Sequence, residues 1–433
     1  MSDNKSSGFD AALALLIRLA SAGLVFGLQV LLARLMPADG YGGFVTLWTW
    51  MLALGSFAAL GFAESSVRFL PRYQLRGRQT ALRGYWRFGL QVVIAASVLL
   101  AVLAVSAALF AGATGPWLMV LLVALGLPFL AIEYFLEGVA RSFGWFRLAA
   151  VPVYIVRPVL VGVTCLGLAG RGVALDLPLV GAVMIGAMAV TAIGLAVTLG
   201  RRLGRLAPLL GRASRGQRRL WLLASLPLLL LSGLEDLTGY ADLLLLSVLA
   251  QPEDVGVYFA AARCLALAGF VAYAMTLVAG RRFALDLAGR SRTDLQRSIT
   301  QSTRLTLWAT VGAVLVAMFA APLLLGAFGP QFQTGQVAMW VLGCGMVVRA
   351  MAGQAGEVLI VTGRQREGLV VGLIGLAATL AVGVIAIPAL GIVGAALASA
   401  VGMAVRSVGM SLVLWQREGL RMIALGFPVR SGA

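Results

Sequence analysis

The sequence predicts an all-α, polytopic membrane protein of about twelve transmembrane helices in two six-helix lobes. Three observations carry that expectation. Hydrophobic residues fill 61% of the 433 positions and charged residues 12%, with a mean hydropathy of +0.96, whereas a water-soluble domain carries roughly 25% charged residues. Apolar stretches of about twenty residues, enough to cross a hydrocarbon core of roughly 30 Å, recur along the whole chain with only short polar interruptions. The arginines between these stretches collect in alternate loops.

The spans are expected at residues 11–35, 42–66, 88–111, 116–140, 148–169, 178–200, 220–248, 255–279, 304–327, 336–361, 368–388 and 391–415. The opening MSDNKSSGFDAALALL runs into an apolar stretch that continues past residue 30 with no small-residue cleavage site, so it reads as the first span and not as a signal peptide. Cys165, Cys264 and Cys344 sit apart inside apolar segments, and the chain has no histidine. That composition argues against a disulfide framework and against ordinary zinc or haem sites, and no cofactor is expected.

Of the 34 basic residues only Lys5 is a lysine, and the formal net charge is +17. A soluble chain of that charge would suggest a nucleic-acid partner, but no interleaved aromatic and basic motif supports one. The positions of the arginines give a different account. Six fall in 67–87, seven in 201–219 and six in 281–304; with Lys5, Arg141, Arg147, Arg364, Arg366, Arg417, Arg421 and Arg430 they bring one side of the membrane to 27 basic residues, against Arg34 and Arg171 on the other. Short basic loops stay in the cytoplasm, so an even number of spans with both termini inside is expected. The acidic loop residues Asp39, Asp176, Glu253 and Asp254 then face outward. The basic loops read first as orientation signals and second as contacts for anionic lipid heads or a pyrophosphate-bearing substrate.

The halves resemble each other. ADGYGGF at 38–44 opens the second expected span and PEDVGVY at 252–258 opens the eighth, at a lag of 214 residues that superposes an acidic residue, a glycine and an aromatic. A lag of six helices gives two copies of the same orientation, as in parallel repeats about an axis along the membrane normal. The Arg-rich segment 201–219 is the natural joint, dividing the chain into an N-terminal lobe, 1–205, and a C-terminal lobe, 206–433. Two lobes that rock against each other around a central cavity suit alternating access.

LLARLMPADGYGGF at 31–44, LGFAESSVRFLPRY at 60–73, YADLLLLSVLAQPEDVGVYFAAAR at 240–263, and VTGRQREG with IPALGIVGAALASAVG between 361 and 402 together resemble the polysaccharide-transport branch of the multidrug/oligosaccharidyl-lipid/polysaccharide exporter superfamily. The resemblance covers nearly the full length. It implies a two-lobe fold that moves a polyprenyl-pyrophosphate-linked oligosaccharide from the inner to the outer leaflet of a bacterial inner membrane, alongside glycosyltransferases or a polymerase of the same pathway. It also implies that Gly42, Gly256, Gly391 and Gly394 are close-packing or turn positions, and that Asp242 matches an acidic position in the seventh helix. The sequence departs from the drug-exporting branch in lacking its dense His and aromatic sites.

Ionisable groups at helix centres cost a few kcal/mol on insertion scales, so each is a candidate for the transport pathway or for pairing within it. Arg18, Arg157, Arg263, Arg349 and Arg406 lie in spans one, five, eight, ten and twelve, with Arg157 and Arg349 placed nearest mid-depth. They are the substrate-binding candidates, because guanidinium forks make strong charge-assisted bonds to phosphate. Pro152 and Pro158 bracket Arg157 and would either turn it toward a cavity or form a packing kink.

The embedded acids Glu64, Glu133, Glu137, Glu235, Asp236, Asp242 and Glu357 outnumber these arginines. Glu64 with Arg68 and Glu137 with Arg141 have the spacing of ion pairs on one helix. A proton- or sodium-coupled cycle would have to use carboxylates such as Glu133, Glu235, Asp236 and Asp242; the alternative is that Arg157 or Arg349 neutralises them across the lobes.

Three functions compete: the flippase, a multidrug cation antiporter of the same superfamily, and a membrane-embedded glycan polymerase or acyltransferase. The last is disfavoured because every outer loop is too short to build a catalytic site. The expected protein is therefore a transporter in contact with membrane lipids, and not an enzyme.

Overall fold

A computed structural model describes residues 20–110, 117–206, 214–288 and 292–422. Its elements in chain order are α1 (Ala20–Leu35), α2 (Ala38–Ala58), α3 (Phe62–Leu75), α4 (Gln79–Phe110), α5 (Trp117–Ser142), α6 (Phe146–Val151), a π turn (Pro152–Val156) and α7 (Arg157–Ala169). There follow α8 (Leu177–Leu206), α9 (Arg215–Leu249), α10 (Pro252–Ala288), α11 (Arg292–Phe319), α12 (Ala321–Phe328), a 3₁₀ turn (Pro330–Gly335), α13 (Gln336–Met351), α14 (Ala355–Val361), α15 (Gln365–Leu390) and α16 (Ile392–Glu418). No strand occurs among the described residues.

Among the described residues each expected span falls on helical segments, several of them divided between two helices; residues 11–19 of the first span and 111 of the third lie outside the described residues. Nine segments among the described residues are long and apolar enough to cross a membrane, and a tenth is the pair α2 and α3, bent by 42°. The described part of the first expected span, 20–35, falls on α1, and the eighth falls on α10. The two repeat motifs open helices as read: α2 starts at Ala38 and α10 at Pro252.

The apolar surface is turned outward. Only 11% of the apolar window of α4 is buried, and Leu99, Val102, Leu103 and Phe110 on this helix are exposed. In water such a face would drive association; in hydrocarbon it is the solvated face, and the helix needs no amphipathic stripe.

The chain divides into two compact units, Met1–Leu237 and Thr238–Ala433. The division falls inside α9. In the first unit the bend between α2 and α3 is made by Leu60 (φ 48°) and Gly61 (φ 69°). Gly61 is required there twice over, by its left-handed backbone and because the Ser225 carbonyl of α9 occupies the space a β-carbon would need. The close approach joins α3, α4 and α9 through hydroxyls: Ser65 Oγ lies 2.6 Å from Tyr85 Oη and 2.7 Å from Ser225 Oγ. Around them Phe62, Tyr85, Phe135 and Trp221 are fully buried, and the Trp221 ring meets Tyr85 edge-on at 5.3 Å. Trp221 Nε1 donates to Tyr73 Oη at 2.8 Å. Removing that donor with Trp221→Phe should cost about 1 kcal/mol for the hydrogen bond, plus the lost ring packing; a lowered melting temperature in detergent checks it.

In the second unit α13 and α14 are separated by a break at Ala352–Gln354. Inside a membrane the freed backbone groups of such a break need partners from neighbouring helices. Side chains of α11 supply the polar surroundings: Ser302 Oγ donates to Gln354 Oε1 at 3.0 Å, and Gln354 Nε2 donates to Thr306 Oγ1 at 2.6 Å.

Candidate functional site

In the first unit, Glu133 of α5 faces Arg157, the first residue of α7, and Thr191 of α8. Arg157 Nη1 donates to Glu133 Oε2 at 2.5 Å, and the Thr191 hydroxyl donates to Glu133 Oε1. Both charged residues are buried, Glu133 to 1% and Arg157 to 8% exposure. The guanidinium also lies over the Trp48 ring of α2, 5.1 Å from its centroid. Four helices thus meet at one buried ion pair.

The backbone explains how Arg157 arrives there. Pro152 and Pro158 lack amide hydrogens, and a proline ring inside a helix crowds the carbonyl four residues earlier. The chain relieves this with a π turn, in which the Arg157 amide bonds the Pro152 carbonyl five residues back. Such single-turn insertions often occur at functional positions. The proline signal in the sequence therefore corresponds to a change of helical register immediately before the buried cation.

One turn along α5, Glu137 pairs with Arg141 at 3.8 Å and accepts a hydrogen bond from Tyr154 Oη at 3.4 Å. The matching pair expected between Glu64 and Arg68 does not form; Arg68 lies over the Phe69 ring instead, 5.8 Å from its centroid. Glu64 and Glu235 both lie close enough to Asp236 to act on its charge, and Ser56 bonds its carboxylate. Within the first unit the ion-coupling candidates therefore have different partners. Glu133 is neutralised by Arg157 within its own unit, and Asp236 belongs with Glu64 and Glu235.

In the second unit Asp242 is part-buried: Oδ2 accepts from Tyr258 Oη at 2.5 Å and Oδ1 from the Leu243 amide at 2.8 Å, with Ser399 of α16 also bonded to it. Tyr258 is the aromatic of the PEDVGVY repeat, so the bond closes within the 240–263 stretch.

The remaining cationic candidates differ in setting. Arg18 lies outside the described residues. Arg263 is half-buried with its guanidinium 4.6 Å from the Phe259 centroid. Arg406 is half-buried, and its stem fills the space a β-carbon on Gly375 would need. Arg349, in the last turn of α13 just before the helix break, is exposed, with no carboxylate bonded to it among the described residues. No group of three or more His, Cys, Asp or Glu that could hold a metal ion occurs among the described residues.

Thr191, Trp48 and Tyr258 went unrecognised in the sequence as partners of charged groups. A threonine inside a strongly apolar helix was the available signal for the first. The others carry no local signature of their role.

This arrangement, many long apolar helices with a buried ion pair beside a π turn, is that of a multi-pass membrane protein. The polysaccharide biosynthesis protein family model matches residues 9–279, and the chain belongs to that family. Its fold is that of a multidrug resistance MATE family transporter of the MOP superfamily, in an inward-facing conformation (TM-score 0.73, 16% identity, covering 94% of this chain and 98% of that one). It is also similar to the lipid II flippase MurJ in an inward closed conformation (TM-score 0.72, 12% identity, 97% and 88% covered). A Vibrio cholerae MATE transporter aligns with a TM-score of 0.58 at 15% identity, covering 96% of this chain and 99% of its own. No curated protein matches the chain in sequence.

Proposed function

We propose that this protein is a flippase that moves a polyprenyl-pyrophosphate-linked oligosaccharide from the inner to the outer leaflet of a bacterial inner membrane by alternating access between two lobes. The observation that carries the reading is the polysaccharide biosynthesis family match across residues 9–279. The excess of arginine in alternate loops supports an orientation with both termini in the cytoplasm. Glycosyltransferases or a polymerase would supply and consume the substrate.

An anionic head crossing roughly 30 Å of hydrocarbon needs cations that do not already hold a carboxylate. Arg349 meets that condition among the described residues. Arg157 does not in this conformation, but protonating Glu133 would release its guanidinium, so exchange of a proton for a phosphate oxygen at Arg157 would couple substrate binding to proton uptake. Asp242, held by Tyr258, is the second candidate for ion coupling, and sodium is the alternative ion.

A multidrug cation antiporter is the second reading, favoured by the acidic group Glu64, Glu235 and Asp236 and by the fold likeness to a MATE transporter. A deletion strain separates the two. The flippase reading predicts loss of surface polysaccharide with lipid-linked repeats accumulating inside, and at least a tenfold loss of export on complementation with Arg349→Ala at matched protein level. Unchanged surface polysaccharide with increased sensitivity to cationic drugs would establish the antiporter.

A further inference from the structure

We infer that the groove between α13 and α16 in the second unit holds one acyl chain of an anionic phospholipid from the Arg-rich side of the membrane, with the headgroup phosphate on Arg421. The groove has a volume of about 470 Å³, within the roughly 300–1,000 Å³ of small-molecule sites. Its walls are apolar, formed by Val348, Met351, Val408, Leu412 and Trp415, and these side chains are all partly exposed, so the groove opens on the surface of the unit.

Three features select the occupant. The first is length. From Ser407 to Trp415 the groove follows α16 for eight residues, about 12 Å at 1.5 Å per residue, close to the half-thickness of the hydrocarbon core at about 15 Å. That accommodates an acyl chain of one leaflet, whereas a long polyprenyl chain would overrun it.

The second is charge. Arg421 closes the end of the groove, and no carboxylate pairs with its guanidinium among the described residues, since the acid just before it, Glu418, is taken by Arg364 at 2.7 Å. The third is rigidity. The Arg421 backbone is fixed from both sides by Gln296, whose Oε1 accepts from the Arg421 amide at 2.9 Å and whose Nε2 donates to the Arg421 carbonyl at 2.9 Å. Trp415, of a residue type enriched at membrane interfaces, lines the groove together with Arg421. A cation held at headgroup depth over an apolar slot is complementary to a lipid with an anionic head. The inference is independent of which substrate the transporter carries.

The test is native mass spectrometry of the full-length protein released from bilayers containing equal phosphatidylglycerol and phosphatidylcholine. Wild type is expected to retain one phosphatidylglycerol in preference to phosphatidylcholine. Arg421→Gln should lower that preference about fivefold, the effect of one basic residue near an anionic headgroup. Ser411→Phe, which fills the groove, should remove the retained lipid. Arg417→Gln, which removes an exposed arginine from the same helix end outside the groove, should change neither result. Equal retention of the two lipids by wild type, equal effects of Arg417→Gln and Arg421→Gln, or displacement of phosphatidylglycerol by an added polyprenyl phosphate would each overturn the inference.

Discussion

Arg157→Met is expected to destabilise the protein by about 3–5 kcal/mol, the cost of leaving a buried carboxylate without its cation. Glu133 is 1% exposed and would retain only the Thr191 hydroxyl, which cannot balance a full charge in a medium of low dielectric. Glu133→Leu should cost a comparable amount, because it strands the guanidinium over Trp48. The double variant Glu133→Leu/Arg157→Met should regain most of the lost stability, since well-packed apolar residues often replace a buried ion pair with little loss. Melting temperatures in detergent for the four proteins measure the coupling directly. Export separates structure from function. If the pair were only structural, the double variant would recover transport along with stability; on the proposed exchange of a proton for phosphate it remains inactive. Recovery of export by the double variant would therefore refute a transport role for Arg157.

The second large effect is expected at Gly394. A β-carbon there would collide with the Ala386 carbonyl and the Ile387 amide of α15, backbone atoms that no rotamer change can clear. Gly394→Val should force α15 and α16 apart and cost about 3 kcal/mol, the upper part of the range for overpacking. Gly186 in α8 has open space around its missing side chain, so Gly186→Ala should remain within about 1 kcal/mol of wild type. Thermal unfolding of the two variants side by side checks this. Equal stability would contradict the close packing of α15 on α16.

The helices were legible because hydrocarbon imposes a length and a composition that the sequence must meet. Among the described residues every expected span lies on helical segments, and both repeat motifs lie at helix starts. In the IPALGIVGAALASAVG stretch Gly394 is a close-packing position and Gly391 is a turn with φ 59°.

Site partners were much less legible. Arg157 stood out as a charge in an apolar span, but its partner Glu133 lies 24 residues away on another helix, and pairing at that distance depends on how α5, α7 and α8 pack. The intrahelical pairs show the limit of local spacing. Glu137 and Arg141 meet, whereas Glu64 and Arg68, at the same spacing, do not. Arg68 finds an aromatic face beside it, an outcome that i,i+4 geometry does not encode.

The most direct test of the flippase account is reconstitution of the purified protein into vesicles carrying a polyprenyl-pyrophosphate-linked oligosaccharide in both leaflets, followed by a membrane-impermeant enzyme that trims the exposed sugar. The account predicts that wild-type vesicles lose nearly all of the intact glycolipid, while empty vesicles and those with Arg349→Ala keep the inner-leaflet half over the same interval. Protection of that half in wild-type vesicles, with the protein folded and correctly inserted, would contradict the account.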